Sequence, residues 1–146
     1  MNLEDLDAQL RHIVETCPGW SELKHFAFFH QIIRDFRIHD VLVCGVYMGR
    51  DIAGMAAIFE FLGIEKYNIV GVDTFSETPG ADWDVEDRNK TWEEVVGMPA
   101  PDLESAQSNL EKLKLSSNVK LIKQEDLDFL KTTNESFDYI YLDTSH

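Results

Sequence analysis

The sequence predicts an α/β fold built on a parallel sheet, and three observations predict it. Four short runs, 41–46, 67–72, 119–122 and 137–142, read as strands. Helical stripes separate them, and strands alternating with helices imply a parallel sheet covered on both faces. The run VLVCGV at 41–46 is continuously apolar, as a strand buried on both faces is.

The elements follow in order. Leu3, Leu6, Leu10, Ile13, Val14 and Cys17 recur at spacings of three and four, one face of a helix that Pro18 and Gly19 end. Ser21 reads as an N-cap, and Phe26, Phe29, Ile32, Ile33 and Phe36 form a second apolar stripe. Two helices therefore precede the first strand. Ile52, Met55, Ala56, Phe59 and Leu62 mark a helix over 51–62, and the second strand follows. Residues 74–101 are rich in Gly and Pro and read as irregular. Leu103, Ala106, Leu110 and Leu113 give another helix, then the third strand, a short helix over 126–131 and the fourth strand. No repeat or low-complexity tract interrupts this order. Residues 1–37 form a helical segment and 38–146 the sheet-bearing domain.

With 146 residues, the chain suits one domain with a proper core. No apolar run is long enough for a membrane span, and the acidic N-terminus lacks the order of a signal peptide. Cys17 and Cys44 stand far apart without a CxxC pair, which argues for reduced thiols in a cytoplasmic protein. The net charge of −14 disfavours nucleic acid, whose phosphates require basic surface.

In such sheets ligands sit beyond the carboxyl ends of the strands, so those ends are where function is sought. The first strand runs into CGVYMGRD, where Gly45 and Gly49 bracket a turn before a helix. Glycine there permits close backbone approach to a ligand, or serves only a tight turn. Tyr47 stands where a dinucleotide fingerprint needs its second Gly, and no phosphate loop occurs. Arg50 suits a phosphate, but Asp51 in the same turn repels one. A ligand without pyrophosphate fits better. Asp73 closes the second strand, where a carboxylate can accept ribose hydroxyls or cap the next loop. Glu125 and Asp126 follow the third strand and can face a base or cap the next helix. Asp143, Thr144, Ser145 and His146 follow the fourth. Asp143 can orient a substrate, hold a divalent cation or act as a base, and His146 is a second candidate base or a turn residue.

These segments, VLVCGVYMGRDIAG, IVGVDTF, QED and FDYIYLDTSH, together resemble a class I S-adenosylmethionine-dependent methyltransferase. More narrowly, they resemble the small-molecule O-methyltransferases of the macrocin O-methyltransferase type. The resemblance covers residues 38–146 and implies a Rossmann-like domain of seven strands, of which four are recognised here. It implies that the chain lacks the C-terminal part of that domain. It assigns Cys44, Gly45, Val46, Tyr47, Gly49, Asp73, Thr74, Glu125 and Asp126 to the cofactor. Gly45 to Gly49 would hold the methionine end, Asp73 the ribose, and Glu125 with Asp126 the adenine. Asp143 would meet the acceptor or a metal such as Mg, with His146 the second catalytic candidate. Cys44 departs from the family, which often has an acidic residue there to meet the cofactor's ammonium; Asp51 or Asp143 could substitute. Within 74–101, which forms a lid in relatives, Trp83 and Trp92 could cover the acceptor. The acidic DWDVED lacks the Gly and distal Glu of a calcium loop and reads as a solvated loop.

The leading expectation is methyl transfer to a small-molecule hydroxyl. A cofactor-binding module without catalysis is the alternative, and a nicotinamide-dependent oxidoreductase is disfavoured by Tyr47 and Asp51. The stripes at 3–17 and 26–36 could pack on the sheet or on a second copy of the chain.

Overall fold

The computed structural model describes residues 1–78 and 89–143. Helices α1 (Leu3–Thr16) and α2 (Leu23–Phe36) precede β1 (Asp40–Cys44), α3 (Arg50–Phe61) and β2 (Asn68–Asp73). Then come α4 (Trp92–Val96), α5 (Leu103–Lys112), β3 (Val119–Lys123), α6 (Asp126–Thr132) and β4 (Tyr139–Leu142). All strand pairs are parallel, in the order β3-β2-β1-β4. The chain therefore reverses direction across the sheet between β1 and β4. That is the switch point beside which ligands bind in open α/β sheets.

Strand alternation decides what covers each face. Val41, Val43 and Ile69 pack with α1, α2, α3 and α5, through Leu10, Ile13, Phe26, Phe29, Ile52, Phe59 and Leu110. Leu42, Cys44, Val70 and Val72 face the other way, against Phe129 of α6. Helix α3 is buried from Asp51 to Phe59, between the sheet and the first two helices. Gly54 and Gly71 make that placement possible. A Cβ on Gly54 would collide with the Phe26 ring, and one on Gly71 would lie 2.5 Å from Ile52 and 2.8 Å from Val46.

Four expectations change. β4 is an edge strand of the described sheet: Ile140 is 47% and Leu142 64% exposed, because they share the face of Leu42 and Cys44, where the cluster around Phe129 of α6 reaches β1, β2 and Ile122 of β3 but not β4. The irregular stretch contains α4, capped by a reciprocal Thr91–Glu94 box too local for hydrophobic periodicity to reveal. Ser21 does not cap α2. Glu22 does, with His25 Nδ1 accepting the Glu22 N–H at 2.8 Å. Glu125, not Asp126, is the N-cap of α6. Trp83, the DWDVED loop, Thr144, Ser145 and His146 lie outside the described residues.

Candidate active site

A cavity of about 370 Å³ opens at the carboxyl end of the sheet, a size typical of small-molecule sites. Its lining joins Gly45, Val46 and Tyr47 after β1, Asp73 at the end of β2 and Asp143 after β4. Arg50 and Asp51 of α3, residues 18–21 between α1 and α2, and Trp92 of α4 complete much of the wall.

The loop after β1 has its shape for identifiable reasons. Gly45 and Gly49 adopt φ of 95° and 89°, the left-handed region that glycine enters without penalty. Tyr47, between them, also has positive φ, at 53°. That costs a residue with a side chain energy, so surrounding contacts must hold it. Asp73 supplies several. Its Oδ2 accepts the N–H groups of Val46 at 2.8 Å and Tyr47 at 2.9 Å, and its Oδ1 accepts that of Phe75 at 2.9 Å. The Tyr47 hydroxyl donates to the Pro99 carbonyl at 2.6 Å, and its ring packs on Trp20 and Trp92 with centroids 4.9 and 5.8 Å away. Asp73 thus latches the end of β2 to the loop after β1. A carboxylate has about four acceptor positions, so Oδ1 retains room for a ligand hydroxyl.

Arg50 does not reach for a phosphate. Its Nε donates to the Cys17 carbonyl at 2.7 Å, Nη1 to Ser21 at 2.8 Å and Nη2 to Val14 at 3.0 Å. These carbonyls cluster where α1 ends, and a planar guanidinium can satisfy several at once.

Asp51 is 9% exposed. Its Oδ1 has no hydrogen-bond partner among the described residues. Burial pushes its carboxyl above the ordinary range. A hydrogen bond with Ser21 works against that rise, the charge of Asp143 adds to it, and His25 and Arg50 oppose it. Burial also raises Asp143, and His25 lowers it. Two carboxyls with elevated proton affinity thus share this region with an imidazole. Since His25 Nδ1 accepts a backbone N–H, the neutral ring carries its proton on Nε2.

Of the residues expected at the site, Gly45, Val46, Tyr47, Asp73 and Asp143 line the cavity. Gly49, buried, is the N-cap of α3 and sits behind the wall. Thr74 is half-buried beyond β2 and outside the lining. Cys44, Glu125 and Asp126 are also outside it. Burial, then the charge of Asp126, pushes the Cys44 thiol up, which sets these two residues close together. Sequence reasoning missed Trp20, Ser21 and His25. An aromatic residue directly after the Pro18–Gly19 break was a signal for Trp20; nothing local marked His25.

The described residues do not fit a metal centre. No group of three or more His, Cys, Asp or Glu side chains converges among the described residues. Among those residues, Asp143 has no companion oxygens of the number a hard cation needs. An adenosyl ligand with a charged amino-acid arm fits better. The backbone-lined loop suits close approach, Asp73 can accept a hydroxyl, and the orphan oxygen of Asp51 lacks a donor.

No protein-family model matches the sequence, and a search of curated proteins finds no match. Solved structures do match. The O-methyltransferase NovP superposes with a TM-score of 0.72 at 17% identity, covering 96% of this chain and 72% of that one. An SAH-bound methyltransferase from Podospora anserina, PaMTH1, gives 0.63 at 17% identity over 95% and 49%. The O-methyltransferase TomG from Streptomyces achromogenes, in complex with SAM, gives 0.59 at 17% identity over 99% and 55%. The chain spans about half the length of PaMTH1 and TomG. Its four-stranded parallel sheet and flanking helices share the Rossmann-like fold of these methyltransferases.

Proposed function

We propose that the chain is the cofactor-binding part of an S-adenosylmethionine-dependent methyltransferase acting on a small-molecule hydroxyl. One observation carries the reading: a single cavity at the switch point, lined jointly by the Gly45–Tyr47 loop, Asp73 and Asp143. The fold shared with SAM- and SAH-bound methyltransferases supports it. When bound, the cofactor supplies a methyl group on a sulfonium, an activated electrophile. The protein then has mainly to align donor and acceptor.

In this reading residues 38–146 form the cofactor domain, and residues 1–37 roof it through Trp20 and Ser21. The loop backbone holds the methionine end, and Asp73 holds a ribose hydroxyl while keeping the loop in shape. Thr74, Glu125 and Asp126 belong to the ribose and adenine side. Asp143 orients the acceptor hydroxyl and receives its proton, a role that its raised proton affinity suits. His146 remains the second candidate base. Trp20 and Trp92 cover the acceptor. No metal enters the scheme. The two unpaired thiols support a cytoplasmic setting.

A second reading is a module that binds cofactor without turnover. It is favoured by Cys44, a buried thiol where the resemblance expects an acid. Calorimetry with S-adenosylmethionine and with NAD separates the classes. Heat with the methyl donor and none with NAD is expected, and the reverse overturns the proposal. Single-turnover methyl transfer to a panel of phenols and sugars then separates enzyme from module.

A further inference from the structure

We infer that the acceptor is a flat phenol carrying no negative charge, and that Trp20, Tyr47 and Trp92 are the residues that select it. The inference rests on the methyl-transfer reading above and deepens it by naming the acceptor's class.

The cavity wall draws on two sources of different chemistry. The strand ends and the start of α3 bring carboxyls, from Asp51, Asp73 and Asp143. The segments outside the sheet bring apolar surface. Pro18 and Trp20 come from the linker between α1 and α2, and Trp92, Val96 and Pro101 from α4 and the stretch after it. Tyr47 joins the two, since its ring centroid lies 4.9 Å from that of Trp20 and 5.8 Å from that of Trp92. Trp20 and Trp92 are themselves 6.3 Å apart. The Tyr47 hydroxyl donates to the Pro99 carbonyl at 2.6 Å, and Trp92 Nε1–H donates to that of Ser76 at 3.1 Å. Both polar tips are thus engaged within the protein, and ring carbon is what this pair adds to the wall. Trp20 is 55% exposed, a large aromatic side chain in the lining with much of its surface uncovered.

Three acceptor chemistries meet that wall differently. A flat ring can pack offset or edge-on against the aromatic cluster, as aromatic pairs prefer, and Asp143 in the same lining is there to receive its hydroxyl proton. A sugar ring carries several hydroxyls, and those turned toward the apolar segments would be buried without partners, at a cost. An anionic acceptor meets three carboxyls. Arg50 is the cation among the described lining residues, and it directs Nε, Nη1 and Nη2 to three backbone carbonyls. The field in the cavity therefore opposes a negative acceptor.

The test is calorimetry on the full chain saturated with S-adenosylhomocysteine and titrated with catechol, protocatechuate and methyl rhamnoside. Protocatechuate is catechol with a carboxylate added, so that pair differs in charge on one ring. Catechol should bind about tenfold or more tighter than either of the others. Trp20→Ala should weaken catechol about tenfold and leave the affinity for S-adenosylhomocysteine unchanged, and Trp20→Phe should recover most of the loss. Phe28→Ala, at an exposed ring of α2 outside the lining, should change neither affinity. Trp20→Leu serves the same comparison if the alanine variant does not fold by circular dichroism. Several outcomes overturn the inference and leave the methyl-donor reading intact. They are protocatechuate or the rhamnoside binding as tightly as catechol, no catechol binding by the loaded chain, catechol affinity unmoved in a folded Trp20 variant, or a loss shared equally by S-adenosylhomocysteine. Failure of the wild type to bind S-adenosylhomocysteine overturns the methyl-donor reading itself.

Discussion

Asp51 and Asp73 are both carboxylates at the rim of one sheet, and their surroundings give them opposite tasks. Asp73 accepts three backbone N–H groups and stabilises the loop it touches. Asp73→Ala should therefore lose both ligand binding and about 1–3 kcal/mol or more of stability, since buried donors lose their acceptor. Asp73→Asn, which keeps one oxygen, should lose less in urea unfolding. Asp51 costs stability instead. Its carboxyl is raised in the folded protein, so the folded state holds the proton more tightly than the unfolded chain does. Stability is lost as pH rises from the ordinary carboxylate value through the raised one. Asp51→Asn removes that cost. The ligand-free variant should melt a few degrees above wild type near pH 7, and the two should converge at about pH 3, below both values. Equal melting temperatures across that range would show that burial does not penalise this group. Asp51 was legible as an acid in the first turn of a helix, but its isolation was not. That depends on Ser21, His25 and Asp143, which approach from three other segments.

Among the elements, α3 shows what a pattern of apolar residues can and cannot reveal. Its period marked the helix to within a residue. Its central position was written in Gly54, Ala53, Ala56 and Ala57, small residues that let α1 and α2 close over it. Gly54→Ala forces the Phe26 ring aside despite alanine's better helix propensity. A loss of about 1–3 kcal/mol is expected from overpacking, measured as a lower urea midpoint with unchanged slope. A gain in stability would mean that the α2–α3 contact yields freely. β1 and β2 were legible because burial on both faces leaves a run of apolar residues. β4 carries the same aromatic and aliphatic residues as a central strand, so its sequence alone did not identify it as an edge. Only the order β3-β2-β1-β4 reveals that.

For the molecule as a whole, the alternation of elements fixed the sheet and its two layers, and hence the end where the cavity lies. It could not show which strand ends share one cavity. The loop after β1 and the ends of β2 and β4 do, while Glu125 and Asp126 lie outside that lining. The same topology leaves the outer face of β4 open, with Ile140 and Leu142 both solvent-facing. Exposed apolar edges invite association. Ile140→Thr should reduce self-association in sedimentation velocity and dye binding by the folded chain, with a stability change within about 0.5 kcal/mol. Unchanged sedimentation would exonerate this edge.

Helix α1 has no basic residue in its last turn. Arg50 supplies the missing donors from another helix, tying the carbonyls of Val14, Cys17 and Ser21 to the start of α3. The connection between the first two helices is therefore tied to α3 by Arg50, and to the loop after β1 by the Trp20 ring on Tyr47. Lysine cannot span three carbonyls, so in Arg50→Lys the linker around Trp20 should become the chain's preferred point of attack by a broad-specificity protease. The sheet would stay closed. A roof of the cavity fastened by one guanidinium and one ring contact can loosen without unfolding the sheet beneath it.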